Sequence, residues 1–217
     1  MLGKDALRLL DKDHLIVTGP VDKAKWNYSP VLSLLQRARF RLILQLIGAK
    51  RRESLLEIGY GSGVFFPELH RLCNRLFGVD IHPYPDKVQS TLASVGINAK
   101  LYSASAENIP LESQSMDLVV SVSALEYVPD KNKAVSELHR VLRPLGQLAV
   151  VYPLANVILD AGLTLLTGES ATQYGDGRET LLPALCEQFS IVSRIHFPVW
   201  APRALRIYEA VLLAVRK

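Results

Sequence analysis

The chain has 217 residues, of which 49% are apolar and 21% charged, and its formal net charge is +4. So large an apolar fraction with so small a net charge excludes disorder, and the length suits a single globular domain able to bury roughly 70% of its unfolded surface. The longest apolar stretches, 42–49 (broken by Gln45) and 211–215, fall far short of the ~18 to 20 residues a bilayer helix needs.

Residues 1–13 mix Lys4, Asp5, Arg8, Asp11, Lys12 and Asp13 with leucines, so no secretory leader is expected and a reducing cytoplasm is the expected compartment. Cys73 and Cys186 each sit in a helix-like pattern without Cys or His at ligand spacing, which suggests neither a zinc site nor a disulfide framework. The charge is uneven. Residues 1–52 hold eleven Lys/Arg against four Asp, giving +7, and the remainder holds fourteen against seventeen, giving −3.

In chain order, Val31 to Ile47 is apolar at helical spacing through Leu34, Leu35, Ala38, Leu42 and Leu46, with Gly48 as its stop. Ser54 to Gly59 reads as a short buried strand entering a glycine-rich turn, followed by a helix over Pro67–Leu76 and a strand over Leu76–Ile81. A helix over Asp86–Val95, a strand over Ile97–Tyr102, a loop through 110–115 and a strand over Met116–Val122 continue the alternation. Next come a helix over Lys131–Leu142 and a strand over Gln147–Tyr152. Such alternation predicts an α/β fold with a parallel sheet covered on both faces. Beyond Gly177, a helix over Arg178–Phe189 precedes strands over Ser190–Phe197 and Ile207–Val215. With only a Pro-containing turn between them, these two strands are expected to be antiparallel neighbours at one end of the sheet. The expected organisation is an N-terminal helical extension, 1–52, serving as a cap or acceptor side, and a domain over 53–217.

The chemistry lies in Leu55-Leu-Glu-Ile-Gly-Tyr-Gly-Ser-Gly63. A strand ending in three alternating glycines brings backbone close to a ligand at the positive end of a helix, at the carboxyl edge where open α/β sheets bind. Asp80 closes the second strand, 17 residues past Gly63, where a carboxylate can accept from both hydroxyls of a ribose. Ser105-Ala106-Glu107-Asn108-Ile109-Pro110 follows the third strand, in place to line an adenine edge.

Together these motifs resemble the class I S-adenosylmethionine-dependent methyltransferases, in particular the small-molecule group of the ubiquinone/menaquinone biosynthesis methyltransferases. Further matching segments are Met116 to Val120 with Leu125-Glu126-Tyr127, and Glu137-Leu-His-Arg-Val-Leu-Arg-Pro144, so the resemblance spans Ser54 to Tyr152. It implies a Rossmann-like sheet of seven strands, mostly parallel, with an antiparallel last strand, and S-adenosyl-L-methionine as cofactor. The cofactor-binding residues it implies are Glu57, Gly59, Tyr60, Gly61, Gly63, Asp80, Ile81, Ser105, Ala106, Glu107 and Ser121. Three positions depart from the family pattern: Ser105 stands where Asp is frequent, Tyr127 where His is frequent, and Leu145 where the first Gly of a Pro-Gly-Gly turn is usual.

Methyl transfer from a sulfonium needs alignment and exclusion of water, and a base only when the acceptor arrives protonated. Glu126, Tyr127 and Tyr174 are the acceptor-side candidates, with Asp176, Trp26 and Tyr28 as further residues able to face the acceptor. His139 and the two cysteines read as packing residues. The chain lacks an Asn/Asp-Pro-Pro-aromatic run, a Pro-Cys nucleophile and a paired-glutamate loop, which favours a small-molecule or lipid-like acceptor over nucleic acid or protein. Arg37, Arg39, Arg41 and Lys50-Arg51-Arg52 are either a solvated helix face with its C-terminal compensation or a contact for an anionic acceptor or anionic membrane surface. Two other readings stand beside this one: a non-catalytic cofactor-binding or interaction protein, and an NAD(P) oxidoreductase. Against the latter, Val64 occupies the third glycine position of Gly-x-Gly-x-x-Gly.

Overall fold

A computed structural model describes residues 7–19, 22–30, 32–155, 164 and 176–216. Its regular elements are α1 (Ser33–Ile47), β1 (Arg52–Ile58), α2 (Phe66–Arg71), β2 (Cys73–Asp80), α3 (Pro85–Ser94), β3 (Ala99–Ser103), β4 (Met116–Val122), α4 (Lys131–Val141), β5 (Leu142–Pro153), α5 (Gly177–Gln188), β6 (Phe189–Phe197) and β7 (Tyr208–Val215). The strands form one sheet in the order β3-β2-β1-β4-β5-β7-β6. β1 to β5 pair in parallel, and β7 runs antiparallel to both β5 and β6. The expected architecture is therefore present, with β7 inserted between β5 and the edge strand β6.

Central strands read as unbroken apolar runs because both faces are covered. Leu55, Leu118, Val120, Ala149 and Val151 pack toward Phe40 and Ile43 of α1, Phe66 and Leu69 of α2, and Val88 and Leu92 of α3. Their alternating neighbours Leu56, Ile58, Val119, Leu148 and Val150 pack toward Val135 and Leu138 of α4 and Leu181 and Leu185 of α5. The period of two along a strand thus divides one sequence between two cores. α1 ends as expected at Gly48, whose φ of +64° suits a residue without Cβ and whose N–H donates to the Leu44 carbonyl at 3.0 Å.

The helix expected over Pro67–Leu76 is shorter. It stops at Arg71, and β2 begins at Cys73, which pairs with Arg52. The Arg52 N–H donates to the Leu72 carbonyl at 2.8 Å, so pairing with β1 takes over backbone groups that a longer helix would have used. Cys73 consequently heads a strand instead of lying mid-helix, and it is buried. At the other boundary, Arg143 to Gly146 bulge out of β5, and regular pairing with β4 resumes at Gln147.

Ahead of α1 the chain crosses the sheet's carboxyl edge. The Leu10 N–H donates to the Val64 carbonyl at 3.0 Å, the Arg8 N–H donates to Glu68 Oε1 at 2.7 Å, and the Tyr28 hydroxyl donates to the Leu10 carbonyl. At the amino edge, the Ser54 N–H donates to Asp117 Oδ2 at 2.8 Å, the Ser54 hydroxyl donates to the Ser115 carbonyl at 2.8 Å, and Arg143 pairs with Asp117 Oδ1. Burial by itself would raise the Asp117 carboxyl, but the Ser54 N–H and the Arg143 guanidinium outweigh it and hold it below the usual carboxylate range.

Asp117→Ala leaves the Ser54 amide and Arg143 without this acceptor, and is expected to cost about 1 to 3 kcal/mol in urea unfolding at neutral pH. Because the folded carboxyl titrates below its unfolded value, its contribution is present above about pH 4 and disappears as pH falls through the depressed folded value. The gap between wild type and variant should therefore narrow in acid; a gap independent of pH would contradict the role assigned to the carboxylate.

Candidate functional site

The site is built from the carboxyl ends of β1, β2 and β4. Past Ile58 the chain turns through Gly59, Gly61 and Gly63 with φ of +77°, +51° and +75°, a region that side chains with a Cβ rarely enter. Contact adds to the demand at Gly59, where a Cβ would stand 2.2 Å from Ala124 Cβ. At Gly61 the nearest neighbours of such a Cβ are the atoms of the Asp22 carboxylate, beginning at 3.5 Å.

Asp80 reaches from the end of β2 to this turn and accepts the Gly61 N–H on Oδ2 at 2.8 Å, while its Oδ1 lies 3.3 Å from the His82 amide. His82, which is buried, returns to the same turn through Nε2, 3.0 Å from the Gly61 carbonyl. The Tyr84 amide donates to Nδ1 at 3.1 Å, so Nδ1 is the acceptor and Nε2 carries the proton. Gly61 is thus held by both of its backbone polar groups. Tyr60 is buried beside His82, edge to face at 4.8 Å, and burial followed by the Asp80 and Asp86 carboxylates pushes its phenol up. Ile81, 77% exposed, presents an apolar surface next to Asp80.

Buried side-chain oxygens without a hydrogen-bond partner among the described residues gather here: Glu57 Oε2, the hydroxyls of Tyr60, Ser62, Ser121 and Ser123, and both carboxyl oxygens of Glu126. Since folded proteins pair nearly all buried polar groups, such a concentration marks a place built for a polar ligand. Burial first, and then the Asp80 charge, hold the Glu57 carboxyl well above the usual range. Glu126 lies in the one-turn 3-10 helix Leu125–Tyr127 after β4, and burial raises its carboxyl to about 7 against the pull of its own backbone N–H and then the fields of Arg39, Arg178 and Lys131. Gly177 at the start of α5 permits this packing, because a Cβ there would stand 1.9 Å from the Glu126 carbonyl oxygen.

The loop after β3 is fastened from below. Ser105 Oγ accepts the Glu107 N–H at 3.1 Å, and Glu107 Oε1 accepts the Asp130 N–H at 2.8 Å. Glu137 Oε2 accepts the Ile109 N–H at 2.8 Å, while Arg140 donates to the carbonyls of Ile109 and Leu111, each at 2.8 Å. Ala106 is buried in the core beneath. His139 packs edge-on against Phe189 at 5.8 Å, as a packing residue would.

Glu57, the three glycines, Tyr60, Asp80, Ile81 and Ser121 therefore share one edge of the sheet with the Ser105–Glu107 loop, and Glu126 follows β4 on the same edge. Tyr127 is half-buried on the same turn as Glu126. Tyr174 lies outside the described residues. Tyr28 is engaged with Leu10 and with the Arg37 guanidinium 5.6 Å from its ring, and the exposed Asp176 precedes α5. Asp22 and His82 are additions that the sequence reading missed. Asp22 accepts from the Ala24 amide at 2.9 Å and the Thr18 hydroxyl at 2.8 Å, and its only sequence signal is an acid alone between Lys12 and Lys23 after Asp13.

Residues 56–150 match the family described as "Methyltransferase domain". The sterol 4-C-methyltransferase strm-1 of Caenorhabditis elegans is 30% identical over 102 residues, 46% of this chain and 30% of that one. The ubiquinone/menaquinone biosynthesis C-methyltransferase UbiE of Psychromonas ingrahamii is 28% identical over 128 residues, 56% of this chain and 51% of that one. The chain thus spans about half the length of UbiE and less of the sterol enzyme. Among solved structures, a SAM-dependent methyltransferase from Aquifex aeolicus superposes with a TM-score of 0.68 at 16% identity, covering 89% of this chain and 97% of its own. The N-methyltransferase NodS of Bradyrhizobium japonicum, in complex with S-adenosyl-L-homocysteine, gives 0.66 at 20% identity, covering 93% and 95%; these two likenesses speak for the fold. The ordered motifs, the sheet order and the match over residues 56–150 agree on a methyltransferase domain of the class I S-adenosylmethionine-dependent type in this chain.

Proposed function

We propose that this chain transfers the methyl group of S-adenosylmethionine to an acidic, lipid-like small molecule, with Glu126 accepting the proton that the acceptor loses. The observation that carries the acceptor side is Glu126 itself: a buried carboxyl with neither oxygen bonded to another of the described residues, raised to about 7 and faced by Arg39, Arg178 and Lys131. A group titrating there is a usable base at neutral pH, and the surrounding cations suit an acceptor that carries or develops negative charge. The names of the sterol and quinone-pathway relatives support a lipid-like acceptor, so the reading includes peripheral contact with an anionic membrane surface.

The residues present fit the cofactor. Glu57 offers an unpartnered buried carboxyl oxygen to an ammonium group, and the glycine turn gives backbone access. Asp80 accepts from the Gly61 amide and, with about four lone-pair sites, has capacity left for two ribose hydroxyls. Ile81 and the Ser105–Glu107 loop would flank the base, and Ser121 would line the floor between β1 and β4. When bound, the cofactor supplies an electrophilic methyl group on a sulfonium. The chain supplies alignment of the two reactants, shelter from water, and the proton acceptor. The described residues before Ile47 cover the glycine turn, and this supports reading 1–52 as a cap over the domain at 53–217.

Asp80→Ala should weaken S-adenosylhomocysteine binding by about 1 to 3 kcal/mol in calorimetry, the scale of a lost charge-assisted hydrogen bond; unchanged affinity would remove the ribose assignment. Turnover of a quinol or sterol-like acceptor should rise with pH through about 7 as Glu126 ionises. Glu126→Gln should flatten that rise and slow turnover by about 10²- to 10⁴-fold. Since the folded carboxyl holds its proton more tightly than the unfolded one, its ionisation costs stability as pH climbs from about 4.5 to about 7. The Gln variant should therefore melt above wild type at pH values above about 7 and together with it below about pH 4.5. A Gln variant that keeps the pH–rate profile would refute Glu126 as the base.

A further inference from the structure

The loop joining β6 to β7, residues 198–207, holds out apolar side chains that the fold does not use. Trp200 is 81% exposed, Val199 71% and Leu205 44%. A side chain as large as tryptophan is highly buried on average, and two such neighbours at a loop tip form an apolar projection with no core to join. The loop is well built. The Ala201 N–H donates to the Pro198 carbonyl at 3.2 Å, Leu205 to Pro202 at 2.9 Å and Ile207 to Phe197 at 2.8 Å, while Ala201 is buried. Anchored on both sides, Val199 and Trp200 are presented outward in a preset arrangement.

Beside them lies a cavity of about 320 Å³ lined by Leu154, Arg194, Arg203, Arg206 and Glu209. Glu209 is consumed within the fold: Arg194 donates to its two oxygens at 2.8 and 2.7 Å, and the Tyr152 hydroxyl bonds it as well. Arg203 and Arg206 have no ion pair among the described residues, and the Arg206 guanidinium donates to the Ala201 carbonyl at 3.4 Å. The cavity therefore carries a positive excess from two guanidinium groups, which recognise phosphate by planar, bidentate geometry. Its place in the fold is also specific. Phe197 ends β6 opposite Tyr208, Tyr208 pairs with Pro153, and the Leu154 N–H donates to the Ile207 carbonyl at 2.9 Å. This is the carboxyl edge of the sheet, shared with the glycine turn and Glu126.

We infer that the 198–207 loop docks the protein on an anionic lipid bilayer, Val199 and Trp200 entering the interface while Arg203 and Arg206 hold a headgroup phosphate. Tryptophan favours the headgroup level of a bilayer, and juxtamembrane arginines add attraction to acidic lipid. The occupant is set by this pairing: an apolar tip calls for a lipid interface, and the adjacent cations call for a negative one. The inference deepens the membrane contact of the proposed function, assigning it to the C-terminal loop, and it is read without cofactor or acceptor, so failure of the methyl-transfer reading would leave it standing.

The full chain should co-sediment with vesicles of phosphatidylcholine and phosphatidylglycerol, and weakly or not at all with phosphatidylcholine alone, with binding reduced by added salt. In a Trp26→Phe background, Trp200 emission should shift to the blue on binding. Trp200→Ser combined with Val199→Ser, and separately Arg203→Glu combined with Arg206→Glu, should each lower partitioning about tenfold or more without changing the melting curve. Arg41→Glu with Arg51→Glu, exposed on α1 and beyond its end, should change it far less. Three results would overturn the inference: vesicle binding that ignores the loop substitutions, protection of the arginine cavity by soluble glycerol phosphate with no vesicle binding, or a Trp200-dependent self-association in sedimentation velocity.

Discussion

The hydrogen bond from the Gly61 amide to the Asp80 carboxylate, 2.8 Å long, is the constraint on which the carboxyl edge depends. It joins a turn that could adopt many shapes to the end of a strand that can adopt one. The turn is made of glycines at positive φ, whose large unfolded-state freedom makes them poor at fixing their own conformation. Asp80 holds the amide of Gly61 and His82 holds its carbonyl, so the peptide planes on either side of Gly61 are each oriented by a side chain from the β2 exit. The N-terminal segment then closes over the result, with Asp22 above Gly61 and Leu10 bonded to Val64.

Three carboxyls at this edge are treated differently by the fold, and the differences divide their tasks. Asp80 is exposed enough to meet a ligand while it accepts the Gly61 amide on Oδ2. Glu57 is buried in β1 with one oxygen unpartnered and Asp80 nearby, and both circumstances favour its proton. A cation arriving at Glu57 would reverse that preference, so the site is electrostatically incomplete in a way that a positively charged ligand completes. Glu126 is also buried, and its carboxyl is raised to about 7 by that burial against its own backbone N–H and the nearby cations. Different environments thus set neighbouring acids of one edge apart in how readily they hold a proton.

The fold was legible because two-sided burial makes each central strand an unbroken apolar run, and because glycines and prolines punctuate what lies between. Where legibility failed, a non-local partner had decided. Cys73 to Arg75 continue a helical pattern in the sequence yet lie in β2, since Arg52 pairs with Cys73 and fixes the strand's start. In the candidate site, the glycine turn and Asp80 stand out at the ends of two strands in the sequence, and Glu126 follows from the family resemblance alone. His82 and Asp22 could not be read, because each acts on Gly61 across a contact between segments distant in sequence. Glu137 and Arg140 are similar: they look like the polar face of a helix, and their task is to fasten the loop after β3 from 28 to 31 residues away.

The uneven charge of the chain shows why a count by segment is a poor guide to a surface. Of the cations in the +7 segment, Arg37 donates to the Asn27 carbonyl at 2.9 Å and lies over Tyr28, Arg39 bonds Gln36 and sends its field to Glu126, and Arg52 bonds the carbonyls of Ile47 and Lys50. These charges cap a helix, brace the N-terminal segment and tune a buried acid. In the body, whose sum is negative, Arg203 and Arg206 lie at a cavity whose one acid, Glu209, is already neutralised by Arg194. Local pairing, not the sum along the chain, decides which cations are available to a partner: Arg41, Lys50 and Arg51 stay exposed in the first segment, as Arg203 does at the loop between the last two strands.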